Sequence, residues 1–436
     1  MESLLLKDAL VVPMTSQGEE PQSFRGSVGV VGNRIVMVSD EADCVAQFMA
    51  EHPTARVVEC DGKALLPGLI NTHCHAAMTL QRNHADDIPL MAWLNDHIWP
   101  FEAVQTKEDI ALGMTLGIAE MLLGGVTSFV DMYFEEDFCV DVVERMGIRA
   151  VLGCSYFDAT IDKTLLSAER AIKAAEGKER VRLSIAPHAP YTVSDEHLQR
   201  GKRFAEEHGL DYMVHAAETQ DELKQVAERY GTTPVRLMER LGLLDKRTIL
   251  AHCVWVDDEE MEILARSGVT VSHNAQSNMK ISSGVSPVQQ MLEKGVCVTL
   301  ATDGSSSNND LDMWEEMRSA ALLQKVSTMN PLSLPAYEVL KMATVNGARA
   351  MGHEGELGLI RVGALADLVV VDLQKPHLQP MHDVVSDLVY CGKASDVEMV
   401  VVDGRVVVEN RQIKGLDLAA LYREVQQAVK RIVEQM

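Results

Sequence analysis

The stretch 65–78, LLPGLINTHCHAAM, is an apolar run that ends in two histidines, His73 and His75, with Cys74 between them. Side chains alternate along a strand, so the two imidazoles would share one side while Cys74 faces the other. A pair of histidines alone is weak evidence for a bound metal, because such pairs also occur at ordinary surfaces. The rest of the chain must therefore supply the other ligands.

Seven further segments repeat the pattern of a short apolar run followed by a helical segment. They are GVTSFVDM, IRAVLGC, VRLSIAP, DYMVHAA, RTILAHC, GVTVSH and GVCVTLATD. Helices are expected between them, for example over 107–123, 163–176 and 195–207, the last with Ser194 as N-cap. Alternating strands and helices predict an α/β fold, and eight units in about 300 residues predict a closed (β/α)8 TIM-like barrel. A doubly wound open sheet is the alternative, although no G-x-G-x-x-G follows a strand.

The two ends of the chain differ from the middle because both are rich in β-branched strand segments. Gly32-Asn33 and Asp403-Gly404 are typical of tight hairpins. Each end alone is too small to bury a good core, so we expect the two ends to pack together as a small β-sandwich domain. The predicted boundaries are 1–62 for its N-terminal part, 63–356 for the barrel, and 357–436 for its C-terminal part with a terminal amphipathic helix.

Composition restricts the partners of this protein. The chain has 436 residues and a formal net charge of −24, which would repel nucleic acid and anionic membranes. Its eight cysteines form no C-x-x-C pair and indicate reduced thiols. We expect neither a signal peptide nor a membrane span, and we expect a cytoplasmic homo-oligomer that acts on a small molecule.

Polar side chains lie at the carboxyl ends of four of the predicted barrel strands. In a barrel, these carboxyl ends open on one face, where active sites lie. The residues in question are His73, His75, His215, Glu218, His252 and Asp303. Each one alone has an ordinary structural explanation, such as a helix cap or a buried histidine, but their conjunction predicts a metal site.

Three histidines and one carboxylate are ligands suited to Zn²⁺, with Fe²⁺, Mn²⁺ or Ni²⁺ possible. We expect His73, His75, His215 and Asp303 to bind one ion and to leave a position for water. The fourth predicted strand ends near His188 and carries no lysine there. A carboxylated lysine that bridges two ions is therefore not indicated.

The motifs PGLINTHCHAAM, HAAET, AHCVW and TDGSSSNNDLDMWEEMR resemble the amidohydrolase superfamily, in its cytosine deaminase and chlorohydrolase-related branch. The segment ADDIPLMAWLNDHIWPFE is more closely similar to the 5′-methylthioadenosine/S-adenosylhomocysteine deaminases. The resemblance covers nearly the whole chain. One departure is SHNAQSN, where Ala275 replaces the usual proline.

The resemblance implies that the four residues named above bind zinc and that Glu218 touches the purine. It further implies that Glu102 binds the ribose hydroxyls and that His188 and Arg149 contact substrate. Some relatives carry a second arginine shortly after Arg149 that helps to hold the homocysteine carboxylate. The segment AVLGCSYFDATID has none here, which leaves the rank of S-adenosylhomocysteine among the substrates open.

We therefore predict zinc-dependent deamination of the adenine ring of 5′-methylthioadenosine, S-adenosylhomocysteine or adenosine. Zinc lowers the pKa of bound water towards about 7. Asp303 would accept a proton, Glu218 would protonate the ring nitrogen beside the attacked carbon, and His252 would hydrogen-bond the water or the developing oxygen.

Two alternatives stay open at this point. The first is the same hydrolytic site acting on another N-heterocycle, such as guanine, a pterin or a triazine. The second is a non-catalytic barrel protein. The sequence also leaves open the roles of four aromatic residues near the site: Trp93, Trp99, His84 and His273.

Overall fold

The computed structural model describes residues 3–15, 23–88 and 90–436. Residues 1–2 and 16–22 of the predicted first segment, and Pro89 of the quoted PLMAWLNDHIWPFE segment, lie outside this range. The strands are β1 (Ser3–Val11), β2 (Phe24–Val31), β3 (Arg34–Ser39), β4 (Arg56–Glu59), β5 (Lys63–Pro67), β6 (Leu69–Cys74), β7 (Val126–Tyr133), β8 (Arg149–Tyr156), β9 (Val181–Pro187), β10 (Asp211–Ala216), β11 (Thr248–His252), β12 (Thr270–His273), β13 (Cys297–Leu300), β14 (Leu368–Asp372), β15 (Val397–Val402), β16 (Arg405–Glu409) and β17 (Gln412–Ile413).

The helices alternate with the middle strands and also flank them. They are α1 (Ala42–Glu51), α2 (Leu90–Trp93), α3 (Trp99–Val104), α4 (Lys107–Leu123), α5 (Glu136–Met146), α6 (Ile161–Ala175), α7 (Asp195–His208), α8 (Gln220–Tyr230), α9 (Pro234–Arg240), α10 (Asp258–Ser267), α11 (Ala275–Lys280), α12 (Val288–Glu293), α13 (Met313–Thr328), α14 (Ala336–Met342), α15 (Gly347–Ala350), α16 (Val384–Tyr390) and α17 (Leu418–Gln435). Short 3-10 turns span Ala76–Gln81, Pro376–Leu378 and Ala394–Asp396, and a π-helical turn spans Leu94–Ile98.

The eight strands β6 to β13 form one parallel sheet in which each strand pairs with its neighbour in the sequence. A doubly wound sheet would reverse its strand order at a switch point, so this sequential order confirms the predicted barrel. Contacts between its first and last strands bring the two edges together. The backbone N–H of Asp303 donates to the carbonyl of His73 at 3.0 Å, and the Asn71 amide donates to the Thr302 hydroxyl at 2.7 Å.

The second domain is a mixed sheet of nine strands built from both ends of the chain, as predicted. Strands β1 to β5 come from the N-terminal side, and β14 to β17 come from the C-terminal side. Both hairpin predictions hold, because Val31 pairs with Arg34 and Val402 pairs with Arg405. Antiparallel pairing of β5 with β14 joins the two halves.

The predicted first barrel strand, ALLPGLIN, is in fact two strands separated at Gly68. Residues Lys63–Pro67 belong to the mixed sheet, and the barrel strand starts at Leu69. A Cβ at position 68 would lie 2.0 Å from the Thr127 hydroxyl, so only glycine fits where the chain passes between domains. An apolar run buried on both sides gives no sign of such a break.

The C-terminal helix α17 packs on the barrel. Its Ile432 forms a small buried cluster with Leu80 and Phe101, and Arg431 is ion-paired with Asp109 of α4. Because Phe101 belongs to α3, helix α17 packs against the segment that carries Glu102.

The structure also describes the cysteines and the lengths of the apolar helices. All eight cysteines are free thiols. Within the described part of the chain, the longest apolar helices fall short of what crossing a bilayer requires.

The structure corrects the prediction that Arg149 contacts substrate. Arg149 is the first residue of β8 and therefore lies at the amino end of the barrel, opposite the carboxyl ends. Its guanidinium donates to both oxygens of Asp367 at 3.1 and 3.2 Å, and to Asp403 at 3.3 Å. With its side chain 3% exposed, Arg149 is a buried link between the barrel and the mixed sheet.

We predict that Arg149→Met lowers the free energy of unfolding by about 3–5 kcal/mol, because it leaves buried Asp367 unpaired. Arg170→Met removes an exposed ion pair with Asp137 and should cost about 0–1 kcal/mol. Denaturant titration of both variants measures the difference. An unchanged stability together with a large rise in KM would instead support substrate contact by Arg149.

Candidate active site

Four predicted metal ligands meet at the carboxyl end of the barrel. His73 and His75 come from the end of β6, His215 from β10, and Asp303 from the loop after β13. Their potential ligand atoms all lie within 4.8 Å of one another. The four side chains therefore form a single group, although they are far apart in the sequence.

The spacing of this group fits a small metal ion. The Nε2 atoms of His73 and His75 lie 3.3 and 3.1 Å from Oδ1 of Asp303. Nε2 of His215 lies 3.2 Å from Nε2 of His73. A tetrahedral zinc shell with bonds of about 2.0–2.1 Å places its ligands roughly 3.3 Å apart. The donor set and its dimensions thus suit such an ion.

Backbone carbonyls orient two of these histidines. Nδ1 of His75 donates to the carbonyl of Met132 at 2.6 Å, and Nδ1 of His215 donates to the carbonyl of His188 at 2.8 Å. Because a carbonyl only accepts, the proton must sit on Nδ1. Nε2 of each ring is then free to bind a metal, as is usual for histidine ligands.

Burial and the Asp303 carboxylate set the charges of the group. Burial lowers the pKa of His73 to about 4 and that of His215 well below its usual value, so both rings are neutral. For His75, burial is the largest single influence and lowers the pKa, but the hydrogen bond to Asp303, its negative charge and the contacts with Met132 and Asp131 together raise the pKa to about 9. The carboxylate therefore favours a positive charge at this point.

Two serines hold the second oxygen of Asp303. The hydroxyls of Ser277 and Ser307 donate to Oδ2 at 2.6 and 3.0 Å, which leaves Oδ1 directed at the histidines. The backbone of Asp303 is left-handed, with φ of 63°. Such strain in a residue other than glycine is typical of functional sites.

Glu218 and His252 lie beside the metal group. Nε2 of His252 is 3.9 Å from Oε2 of Glu218 and also 3.9 Å from Oδ2 of Asp303. Burial raises the pKa of Glu218, which favours a carboxyl that holds a proton. Nδ1 of His252 lies 2.9 Å from the Asn278 amide oxygen, which orients the ring.

Glu222 is a residue that the sequence analysis missed. Its buried carboxylate accepts the backbone N–H groups of Ala217 and Glu218 at 3.0 and 2.7 Å. Ala217 is left-handed, with φ of 52°, so this contact holds a strained turn that presents Glu218. The four-residue spacing in ETQDE was the available signal, although it reads equally well as an ordinary helix start.

A cavity opens over the metal group. Glu102 lies in its wall and accepts a hydrogen bond from the Tyr133 hydroxyl at 2.9 Å. Burial raises the pKa of Glu102 to about 7. The cavity brings together the predicted substrate contacts Glu102, His188 and Glu218, whereas Arg149 is distant. Its other lining residues include Met78, Trp93, Leu94, Ile98, Trp99, Met132, Phe134, Phe157 and Tyr191.

Of the four residues that the sequence left open, Trp93 and Trp99 line this cavity. His84 packs instead against His97 and Phe101. His273 is completely buried at the end of β12 and is not among the described lining residues.

Comparison with known proteins agrees with this geometry. Residues 64–407 match the model of the amidohydrolase family. The 5-methylthioadenosine/S-adenosylhomocysteine deaminase of Desulforamulus reducens is 41% identical, over 99% of both chains. The 5′-deoxyadenosine deaminase of Methanosarcina mazei is also 41% identical, again over 99% of both. An adenosine deaminase from Xanthomonas campestris, solved with bound zinc, superposes with a TM-score of 0.94 at 36% identity, covering 99% of this chain and 98% of that one.

A barrel with a histidine and aspartate metal group at its mouth defines a metal-dependent hydrolase. The chain belongs to the amidohydrolase family, and the predicted enzyme class is thereby confirmed.

We predict that the protein binds one equivalent of Zn²⁺ and that His215→Ala abolishes this binding, because it removes one of four ligands. His208→Ala, at an exposed helix end, is the matched control and should bind zinc normally. Metal analysis after dialysis gives the stoichiometry. Full zinc content in His215→Ala would contradict the assigned ligand set.

Proposed function

We propose that this protein is a zinc-dependent deaminase that hydrolyses the 6-amino group of adenine nucleosides and releases ammonia. The observation that carries the proposal is the placement of Glu218 and Asp303 each 3.9 Å from Nε2 of His252, beside the metal group and within one cavity. Two relatives are named as deaminases of 5-methylthioadenosine and S-adenosylhomocysteine or of 5′-deoxyadenosine, and these names support the same chemistry.

His73, His75, His215 and Asp303 would hold the zinc ion, which supplies a water activated for attack at neutral pH. The proton transfers are then carried out by side chains of the protein. The Asp303 carboxylate, whose Oδ2 is held by the hydroxyls of Ser277 and Ser307, would accept a proton from that water.

Glu218 has the opposite task. Since burial raises its pKa, it can carry a proton to the ring nitrogen next to the amino-bearing carbon, which makes that carbon more electrophilic. His252 hydrogen-bonds the oxygen that becomes the carbonyl of the product. Return of a proton from Asp303 or Glu218 to the amino group releases ammonia, so that water and adenosine-type substrate give the inosine-type product.

Glu102 supports a nucleoside rather than a free base as the substrate. Its carboxylate lies in the cavity wall, and one carboxylate can accept hydrogen bonds from two vicinal ribose hydroxyls. His188 lines the same cavity, with Nδ1 held 2.8 Å from the Thr192 hydroxyl, and is placed to contact the sugar or base. A guanine, pterin or triazine substrate would leave the Glu102 carboxylate without such a partner.

The complete ligand set and Glu218 argue against a non-catalytic barrel. We retain as proposals a homo-oligomeric state, a cytoplasmic location, and the division of the chain at residues 62 and 356. A nucleoside would be the partner, with no role for nucleic acid or membrane.

The test is ammonia release by the zinc-loaded protein with adenosine, 5′-methylthioadenosine and 5′-deoxyadenosine. Glu218→Gln should retain zinc but lose about 10²–10⁴-fold in kcat, because the proton donor is gone. Glu196→Gln, exposed on α7, controls for loss of a carboxylate and should retain activity. Full activity in Glu218→Gln, or no reaction with any nucleoside in the wild type, would refute the proposal.

The role of Glu102 can be tested by a thermodynamic cycle that combines one mutation with one change in the substrate. In the wild type, removing the ribose hydroxyls, as in 2′,3′-dideoxyadenosine, should lower kcat/KM by about 10–100-fold, as for a hydrogen bond to a charged group. In Glu102→Ala the same change should have little further effect. Additive losses would show that Glu102 does not bind the ribose.

A further inference from the structure

The cavity has an aromatic wall next to Glu102, which we define as Trp99, Phe134 and Phe157. Trp99 precedes Glu102 by one helical turn on α3, and Phe134 follows Tyr133, whose hydroxyl binds Glu102. The ring of Phe157 lies 6.1 Å from Trp99 and 6.5 Å from Phe134, measured between centroids. These three side chains therefore form one continuous apolar surface.

No lysine or arginine is found among the described residues that line this cavity. The chargeable side chains of the lining are three carboxyls, Glu102, Glu218 and Asp303, and the four histidines His75, His188, His215 and His252. Of these histidines, His188 packs on the wall, with its ring centroid 4.7 Å from that of Phe157. An anionic 5′ group beside the aromatic wall would therefore lose water without gaining a lysine or arginine partner, which is costly in a buried site.

Lysines near the cavity are already paired. Lys163 lines an adjoining cleft that shares Phe134 with the cavity, but it is exposed and ion-paired with Glu135 at 3.0 Å. Lys280 lines the outer cleft and is ion-paired with Asp86. Neither ammonium is left free for a ligand.

We propose that this site selects adenine nucleosides with an uncharged, apolar 5′ substituent and rejects those with a 5′ carboxylate or phosphate. The inference rests on the proposed function: with the amino-bearing ring at the metal group and the ribose at Glu102, the 5′ substituent meets the aromatic wall. A thioether there gains favourable sulfur–aromatic contacts. The aromatic wall is thus the specificity-determining surface of the enzyme.

The experiment compares kcat/KM for substrates that differ only in the 5′ group. S-adenosylhomocysteine and 5′-butylthioadenosine are matched in length and separate charge from size. We expect 5′-methylthioadenosine and 5′-butylthioadenosine to lie within about tenfold of each other, and S-adenosylhomocysteine and AMP to be at least about 100-fold poorer. Similar values for S-adenosylhomocysteine and 5′-butylthioadenosine would overturn the inference. Failure to deaminate any of these nucleosides would instead refute the proposed function.

A pair of variants locates the selectivity. Phe134→Arg adds a cation to the aromatic wall and should raise the ratio of S-adenosylhomocysteine to 5′-methylthioadenosine turnover by at least about tenfold. Phe134→Leu keeps the wall apolar and should preserve the wild-type preference. A folded, zinc-loaded Phe134→Arg with an unchanged ratio would show that the 5′ group lies elsewhere. If Phe134→Arg does not fold, the wild-type comparison of the two matched thioethers decides.

Discussion

Closure of the barrel between its first and last strands is the constraint on which the whole site depends. The backbone hydrogen bond from Asp303 to His73 joins residues 230 positions apart in the sequence, and the side-chain contact of Asn71 with Thr302 joins residues 231 apart. Within the same region, the hydroxyls of Thr72 and Thr299 lie 2.6 Å apart. These contacts set the Asp303 carboxylate beside two histidines that would otherwise lack an anionic partner.

Holding that constellation requires strained backbone at several strand ends. Ala217, His252 and Asp303 are all left-handed, with φ of 52°, 76° and 63°. Residues other than glycine adopt this conformation only when surrounding contacts outweigh its cost. Around Ala217, that contact comes from the buried Glu222 carboxylate. Strain and ligand placement are therefore two aspects of one local structure.

Arg149 and Gly68 show where sequence reasoning fails. The sequence does not show at which end of a barrel strand an arginine lies. Arg149 lies at the amino end of β8, where it forms an interdomain ion pair, whereas a substrate contact would require the carboxyl end. Likewise, the apolar run around Gly68 serves two sheets in turn, because strands buried in either domain need the same residue types. Glu222 escaped notice for a related reason, since a carboxylate at a helix start is common.

The sequence alone determined the alternation of strands and helices, the hairpins at Gly32-Asn33 and Asp403-Gly404, and the identity of the chemically capable side chains. These features follow from local periodicity and residue type, which neighbouring positions express directly. Only the tertiary structure decided that Arg149 faces Asp367, that Glu222 supports Glu218, and that aromatic rings rather than cations adjoin Glu102. The physical reason is that such contacts depend on strand register and on side-chain direction across the barrel, which no local stretch of sequence encodes.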